Sequence, residues 1–222
     1  MTPSGDEVSD ALAEVEQLYT DGLERYGTSP RSVGWKDLSG QRLRFAKLAQ
    51  LLPSRPGDAV TVNDLGCGYG SLLSFLDERP ATRPATYYGY DISEPMLDRA
   101  REAADERAQF VHAAEPTFTA DYSFASGPFN VKGASTDAAW EAHVRQLVLR
   151  LAERSRLGFA FNLLTTFVDF RQENLFYADP CAFFAFCKRE ISPYVTLLHD
   201  YPLYEWTLLV RHRDAVLPGS GE

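Results

Sequence analysis

The chain of 222 residues is poor in the groups that announce several kinds of chemistry. It has three cysteines, Cys67, Cys181 and Cys187, an odd number without metal-ligand spacing. Neither a disulfide framework nor a zinc site is expected, and a reducing cytoplasm fits. No apolar run is long enough to cross a bilayer. Met1 to Asp10 lacks the basic start and apolar core of a secretory signal, so no membrane role is expected. Positive charge is scarce: 22 Lys and Arg against 31 Asp and Glu leave a formal net charge of -9. Phosphate backbones are held by clustered Lys and Arg, so this balance speaks against nucleic acid and for a small-molecule ligand, including one that carries positive charge. Repeats, low-complexity tracts and clear linkers are also lacking. The expectation is a single domain, 1–222, with an N-terminal helical segment at 1–58 and a core at 59–212.

What is present is a 45% hydrophobic chain, enough for one α/β domain with a substantial core. Its centre is Val62-Asn63-Asp64-Leu65-Gly66-Cys67-Gly68-Tyr69-Gly70. An apolar run, Ala59 to Leu65, enters it as a buried strand, and Ser71 to Leu76 leaves it as a helix. Glycine in the turn supplies backbone angles that a Cβ disfavours and lets a ligand approach the main chain. The following helix directs free N–H groups at the same place. A second strand, Ala85 to Tyr90, ends at Asp91. An acidic residue about twenty positions beyond a glycine turn is how α/β folds hold an adenosine ribose. Cys67 fills a turn position that needs a small side chain and is not read as a nucleophile. The spacing here is G-x-G-x-G, with Asp64 two residues ahead, whereas a dinucleotide turn reads G-x-G-x-x-G. An NAD-dependent oxidoreductase is disfavoured on that ground.

The segment Asp64 to Gly70 resembles motif I of the class I S-adenosylmethionine (SAM)-dependent methyltransferases, and Tyr88-Gly89-Tyr90-Asp91-Ile92-Ser93-Glu94-Pro95-Met96-Leu97 resembles their second motif. The pattern of strands and helices extends the resemblance over Trp35 to Arg211. It implies a doubly wound, mostly parallel seven-stranded sheet of the Rossmann-like methyltransferase type. Its last strand is antiparallel, and the N-terminal helices serve as cover or lid. It implies SAM as cofactor and S-adenosylhomocysteine as product. Asp64, Gly66, Cys67, Gly68, Gly70 and Asp91 belong to the cofactor turn; Ile92 and Met96 touch the adenine; Ala114 and Glu115 stand where the family often faces the adenine amine. The family commonly has Gly-Asp there, whereas this chain has Ala113-Ala114-Glu115.

Taken in order, Met1 to Glu7 is expected to be frayed. Val8 to Tyr26 and Trp35 to Leu52 show helical apolar spacing, with a loop at Gly27 to Gly34. Arg44, on the second helix, is a candidate clamp for the cofactor carboxylate. Tyr19 and Tyr26 are candidates to reach the acceptor. Ser93 caps a helix from Glu94 to about Arg107, with Pro95 early in it. Ala108 to Ala113 is a third strand, within which His112 is read as packed. Asp121 to Ala125 is a fourth, ending in Ser126-Gly127-Pro128-Phe129-Asn130. Ligands of open α/β sheets bind at the carboxyl ends of strands. Ser126 is therefore placed at the cofactor, and Gly127, Phe129 and Asn130 at the acceptor. The stretch faintly resembles the Asp/Asn/Ser-Pro-Pro-Tyr/Phe motif of amino methyltransferases, with Gly127 in place of the first proline, and this hints at N-methylation. A helix at Thr136 to Arg154 and a fifth strand at Arg156 to Leu164 follow, with Asn162 a further acceptor candidate. Thr165 to Ala178, rich in aromatics, is long enough to form part of the acceptor pocket. A helix at Cys181 to Glu190, strands at Tyr194 to His199 and Glu205 to Arg211, and a loose tail from Leu217 complete the chain.

SAM carries a methyl group already activated on a sulfonium, so positioning of the acceptor does much of the work. Where a proton must leave, His199 and Tyr201 are the candidate bases, with Asp200 and Tyr204 beside them. The Asp-rich metal cluster of catechol-type enzymes is missing, and no metal is expected. The reading is methyl transfer to nitrogen or oxygen of a small molecule, in specialised metabolism, by a monomer or homodimer. The alternatives are methylation of protein or RNA, and a catalytically inactive SAM-binding partner subunit.

Overall fold

Runs of Val, Leu, Tyr and Phe bounded by turn residues become the strands of one sheet, and the amphipathic runs between them become its covers. The computed structural model describes residues 5–53, 59–78 and 82–216. The expectations for the first four residues, for most of the Pro53 to Asp58 lead-in and for the tail from Leu217 lie outside the described residues. In chain order the elements are α1 (Gly5–Tyr26), α2 (Leu38–Leu48), β1 (Thr61–Leu65), α3 (Ser71–Asp77), β2 (Thr86–Asp91) and α4 (Glu94–Ala103). Then come β3 (Ala108–His112), β4 (Ala120–Ala125), α5 (Asp137–Glu153), β5 (Ser155–Thr165), β6 (Tyr177–Ala178), α6 (Pro180–Glu190), β7 (Tyr194–Leu198), β8 (Glu205–Arg211) and α7 (Arg213–Val216).

The sheet runs β3-β2-β1-β4-β5-β8-β7, and the two-residue β6 pairs with the end of β5. β1 to β5 are mutually parallel, whereas β8 lies antiparallel between β5 and β7. The mostly parallel sheet with an antiparallel last strand is therefore present, with β6 as an eighth, short addition. The strand order reverses between β1 and β4, which opens the crevice used by ligands in doubly wound sheets. One apolar cluster, with Trp140, Val144 and Val148 of α5, Phe183 of α6 and Ala11 of α1, covers one face. A second, with Phe45 and Leu48 of α2 and Leu72, Phe75 and Leu76 of α3, covers the other.

Several boundaries differ from the sequence reading, each for a local reason. The second helix starts at Leu38, because the Asp37 carboxylate accepts from the Gly40 N–H and caps it; Trp35 lies ahead of it. The helix from Glu94 ends at Ala103, where Ala104 turns extended. Ser93 stands at that helix's start without a side-chain cap, since its hydroxyl instead meets Thr20 at 3.0 Å. Within the loop before Trp35, Pro30–Val33 winds into a single 3-10 turn. Glu7, expected to fray, sits inside α1, and its carboxylate accepts from the Thr136 N–H at 2.5 Å. His112 is exposed, with Nε2 2.8 Å from the Ile92 carbonyl.

Candidate functional site

The glycine turn is shaped by three left-handed residues, Gly66, Gly68 and Gly70, with φ of 72°, 52° and 82°. Side chains with a Cβ disfavour that region. Gly66 is doubly constrained: a Cβ there would stand 2.6 Å from the Pro128 Cβ in the loop after β4. The N–H groups of Gly66 and Cys67 both donate to the Tyr90 carbonyl, at 2.8 and 3.0 Å, which ties the turn to the end of β2. Asp91, the last residue of β2, is 9% exposed. One of its oxygens accepts from the Gly68 N–H at 2.8 Å and the other from the Ser93 N–H at 2.9 Å. These bonds fix the carboxylate while leaving lone pairs for a ligand. Burial raises its pKa, and the backbone bonds partly offset that rise.

This turn opens into a cavity at the carboxyl ends of the strands, about 980 Å³ of space free of protein atoms when its open mouth is included. Its walls include Asp64, Gly66, Cys67, Asp91, Ile92, Met96, Ala114, Ser126, Gly127, Phe129 and Tyr19. Eight of the residues expected at the cofactor, Asp64, Gly66, Cys67, Asp91, Ile92, Met96, Ala114 and Ser126, line one space, and Gly68 and Gly70 belong to the same turn. α1 lies along the cavity and contributes Leu12, Val15 and Tyr19 to its walls. It is fastened by Thr20 to Ser93 and by Glu7 and Glu14 to the segment that leads into α5.

Asp64 is 2% exposed and receives a short hydrogen bond from the Tyr87 hydroxyl. Burial pushes its carboxyl up to about 7, against the pull of that bond. The Cys67 thiol is raised well above its usual value, by burial and then by Asp91 and Asp64. It is therefore no thiolate, in keeping with a packing role. Burial also raises the phenol of Tyr19. The Ser126 hydroxyl is buried without a protein partner, a polar group left for a ligand. A positive-φ glycine cradle, a pinned carboxylate and an orphaned hydroxyl around one cavity fit a ligand with ribose hydroxyls and a polar tail.

Other expected site residues are placed elsewhere. Arg44 does not point into the cavity as a carboxylate clamp. Its Nε and Nη2 grip the buried Glu205 carboxylate at 2.7 to 2.9 Å, and its guanidinium stacks on Trp35, 3.7 Å from the ring centre. Glu115 is 54% exposed and turns toward Arg150 at 3.6 Å, so it does not face the cavity. Tyr26 is exposed beneath Arg25. His199 is exposed beside Phe167, and the Tyr201 hydroxyl is buried against Thr207 at 2.8 Å. Neither is a base at this cavity. Asn162 and Asn130 are structural neighbours of the acceptor end rather than walls of it. Asn162 accepts from the Gly127 N–H and donates to Glu205, both at 2.8 Å. Asn130 accepts from the Leu164 N–H at 3.2 Å, and its amide nitrogen is buried without a partner. The aromatic loop after β5 holds Phe167 and Phe170 out in solvent, 69% and 68% exposed, and not in the pocket.

Several walls had been given no role at the site from the sequence, Trp35, Gln41 and His143 among them. Trp35 covers Gly127 so closely that a Cβ there would lie 2.5 Å from its ring. Gln41 lines the cavity and donates to Tyr69 and Ser71 at 3.3 and 3.2 Å. His143, on α5, packs its ring 5.3 Å from that of Trp140. Its place one helical turn before Leu147 was the available signal. Among the described residues, no group of three or more His, Cys, Asp or Glu could hold a metal ion.

Comparison with known proteins gives the same picture. The family model described as "Methyltransferase domain" matches residues 62–155. A protein of Mycobacterium tuberculosis (strain ATCC 25618 / H37Rv), described as methyltransferase Rv1506c, is 48% identical over 158 residues, 69% of this chain and 94% of that protein. Magnesium protoporphyrin IX methyltransferase (ChlM) of Synechocystis PCC 6803, solved with bound S-adenosylhomocysteine, superposes with a TM-score of 0.62 at 14% identity, covering 92% of this chain and 99% of that one. The 1,6-didemethyltoxoflavin-N1-methyltransferase of Burkholderia thailandensis, solved with 1,6-didemethyltoxoflavin and S-adenosylhomocysteine, gives 0.60 at 13% identity, over 92% and 89% of the two chains. The two solved structures are alike in fold.

Proposed function

Because the chain belongs to the class I SAM-dependent methyltransferase family, we propose that it moves the methyl group of SAM to a nitrogen or oxygen atom of a small molecule. One observation carries the choice of a small acceptor. The cavity beyond the glycine turn is walled by Trp35, Phe45, Tyr19 and Val33, with α1 along it, and the residues that line it carry two carboxylates but no lysine or arginine. Such a lining suits a compact acceptor, neutral or cationic, and gives no grip on a phosphate backbone. The acceptor named for the Burkholderia relative is a small molecule methylated on nitrogen, which supports the class and not the compound. A specialised biosynthetic setting, a cytoplasmic location and a monomer or homodimer belong to the same proposal.

SAM supplies a methyl group already activated on its sulfonium. Asp91 would hold the ribose hydroxyls, its carboxylate being pre-set by the Gly68 and Ser93 N–H groups. Ile92, Met96 and Ala114 would flank the adenine, and Ser126 would meet the polar tail. Gly127 and Trp35 would form the wall against which the acceptor is aligned, and α1 would exclude water. The test is to incubate the protein with methyl-labelled SAM and separate pools of small amines and alcohols, tRNA, and extract protein. Label in low-mass products, read by mass spectrometry, is the expected result; label confined to tRNA or protein overturns the proposal.

A further inference from the structure

The adenine end of the cavity lacks the acidic partner that commonly faces the amine. Glu115 is turned out to Arg150, and Ala113 and Ala114 offer no side-chain acceptor. The wall opposite is supplied by α5. His143 and Leu147 are four residues apart and so share a face, and both line the cavity with Leu12, Ala113 and Ala114. Arg150, one turn further along α5, meets Glu115 just beyond β3 at 3.6 Å, which brings this helix to the end of β3. The His143 ring rests on Trp140, and among the described residues neither of its nitrogens has a hydrogen-bond partner. Burial holds its pKa below the usual imidazole value, with no charged neighbour acting on it. The ring is therefore neutral at neutral pH and keeps one nitrogen as an acceptor.

We propose that His143 is the adenine-reading residue of this chain, accepting a hydrogen bond from the 6-amino group in place of a carboxylate. The inference rests on the cofactor assignment and is independent of the acceptor. An amine donates where a hydrogen at C6 neither donates nor accepts a strong bond, so the test compares S-adenosylhomocysteine with its 6-deamino purine analogue by calorimetry at pH 7.5, a pH chosen to be about one unit above the ordinary imidazole pKa. The wild-type chain should prefer the adenosyl compound by about tenfold or more, the worth of one buried hydrogen bond. His143→Leu should lose most of that preference, and His143→Gln, which keeps an acceptor oxygen, should retain part of it. Imidazole nitrogen resonances of the wild-type chain provide a check that needs no variant. The His143 signal should move on adding the adenosyl compound and much less with the deamino one. A leucine variant that keeps the wild-type preference, or an unmoved His143 signal, overturns the proposal. Binding of both compounds without discrimination overturns it alone. Binding of neither by the wild-type chain overturns the cofactor assignment with it.

Discussion

The two ends of the cavity are built by different means. At the glycine-turn end the polar groups come from the main chain and one carboxylate: Gly66, Cys67, Gly68 and Ser93 N–H groups, the Tyr90 carbonyl and Asp91. All lie within a single strand-turn-helix-strand unit. At the Trp35 end the order is made by side chains far apart in the chain. Arg44 and Glu205 are separated by 161 positions, and Asn162 links Glu205 to the Gly127 N–H. The first end depends on backbone conformation and should fail in ligand affinity. The second depends on a buried ion pair and should fail in stability.

The largest effect is expected at the second end. Arg44→Ala leaves the Glu205 carboxylate, 1% exposed, with only Asn162 as hydrogen-bond partner among the described residues. It should cost about 3–5 kcal/mol in urea unfolding. Affinity for S-adenosylhomocysteine in the surviving folded protein should stay within about threefold, since Arg44 grips Glu205 and does not line the cavity. A much larger loss of affinity with little loss of stability would return Arg44 to the cofactor. Next comes the pH dependence set by Asp64. Its pKa of about 7 stands above the ordinary 3.8, so between those values the folded chain holds a proton that the unfolded chain releases. The contribution of Asp64 to stability is therefore greatest below about pH 4, falls as pH rises to about 7 and then levels, by on the order of 4 kcal/mol. Urea midpoints across that range should be flatter in Asp64→Asn; identical slopes would count against a raised Asp64.

At the first end, Asp91→Asn keeps an oxygen for one backbone donor but loses the charge. It should weaken S-adenosylhomocysteine by about 30- to 100-fold. Asp91→Ala is a poorer probe, because the Gly68 and Ser93 N–H groups would both lose their acceptor. The smallest effect belongs to the exposed loop. Phe167→Ser should change stability by no more than about 0.5 kcal/mol and leave cofactor affinity unaltered. A large fall in methyl transfer on that change would restore the loop to the acceptor pocket.

The same contrast explains what could be read before the structure. The sheet, its antiparallel last strand and the turn from Asp64 to Asp91 were legible because local pattern determines them: apolar strands, glycines at fixed spacing and an acidic strand end. Arg44 was misread because its position on a helix near the turn is local, whereas its partner Glu205 is reached only through the β5–β8 pairing. His199 and Tyr201 looked chemical by residue type, yet the hairpin end carries them away from the cavity. Trp35 was assigned to a helix and so lost its place as a wall. His143 hid within an apolar helix pattern, where a neutral imidazole beside a tryptophan reads as core.

Pro128 rests on Gly66, so the cofactor turn and the acceptor loop form a clasp. For anyone seeking to redirect this enzyme to another acceptor, the clasp sets the order of work. Transplanting 126–130 from a different enzyme would exchange the cover of the glycine turn along with the substrate wall. A graft that omits a ring at position 128 should then loosen the cofactor before it has altered selectivity. Changes at Trp35 avoid that linkage, since its ring lies over Gly127, whereas Gly66 is covered by Pro128. Diversity for new acceptors is therefore best introduced from the Trp35 side, with Pro128 held constant.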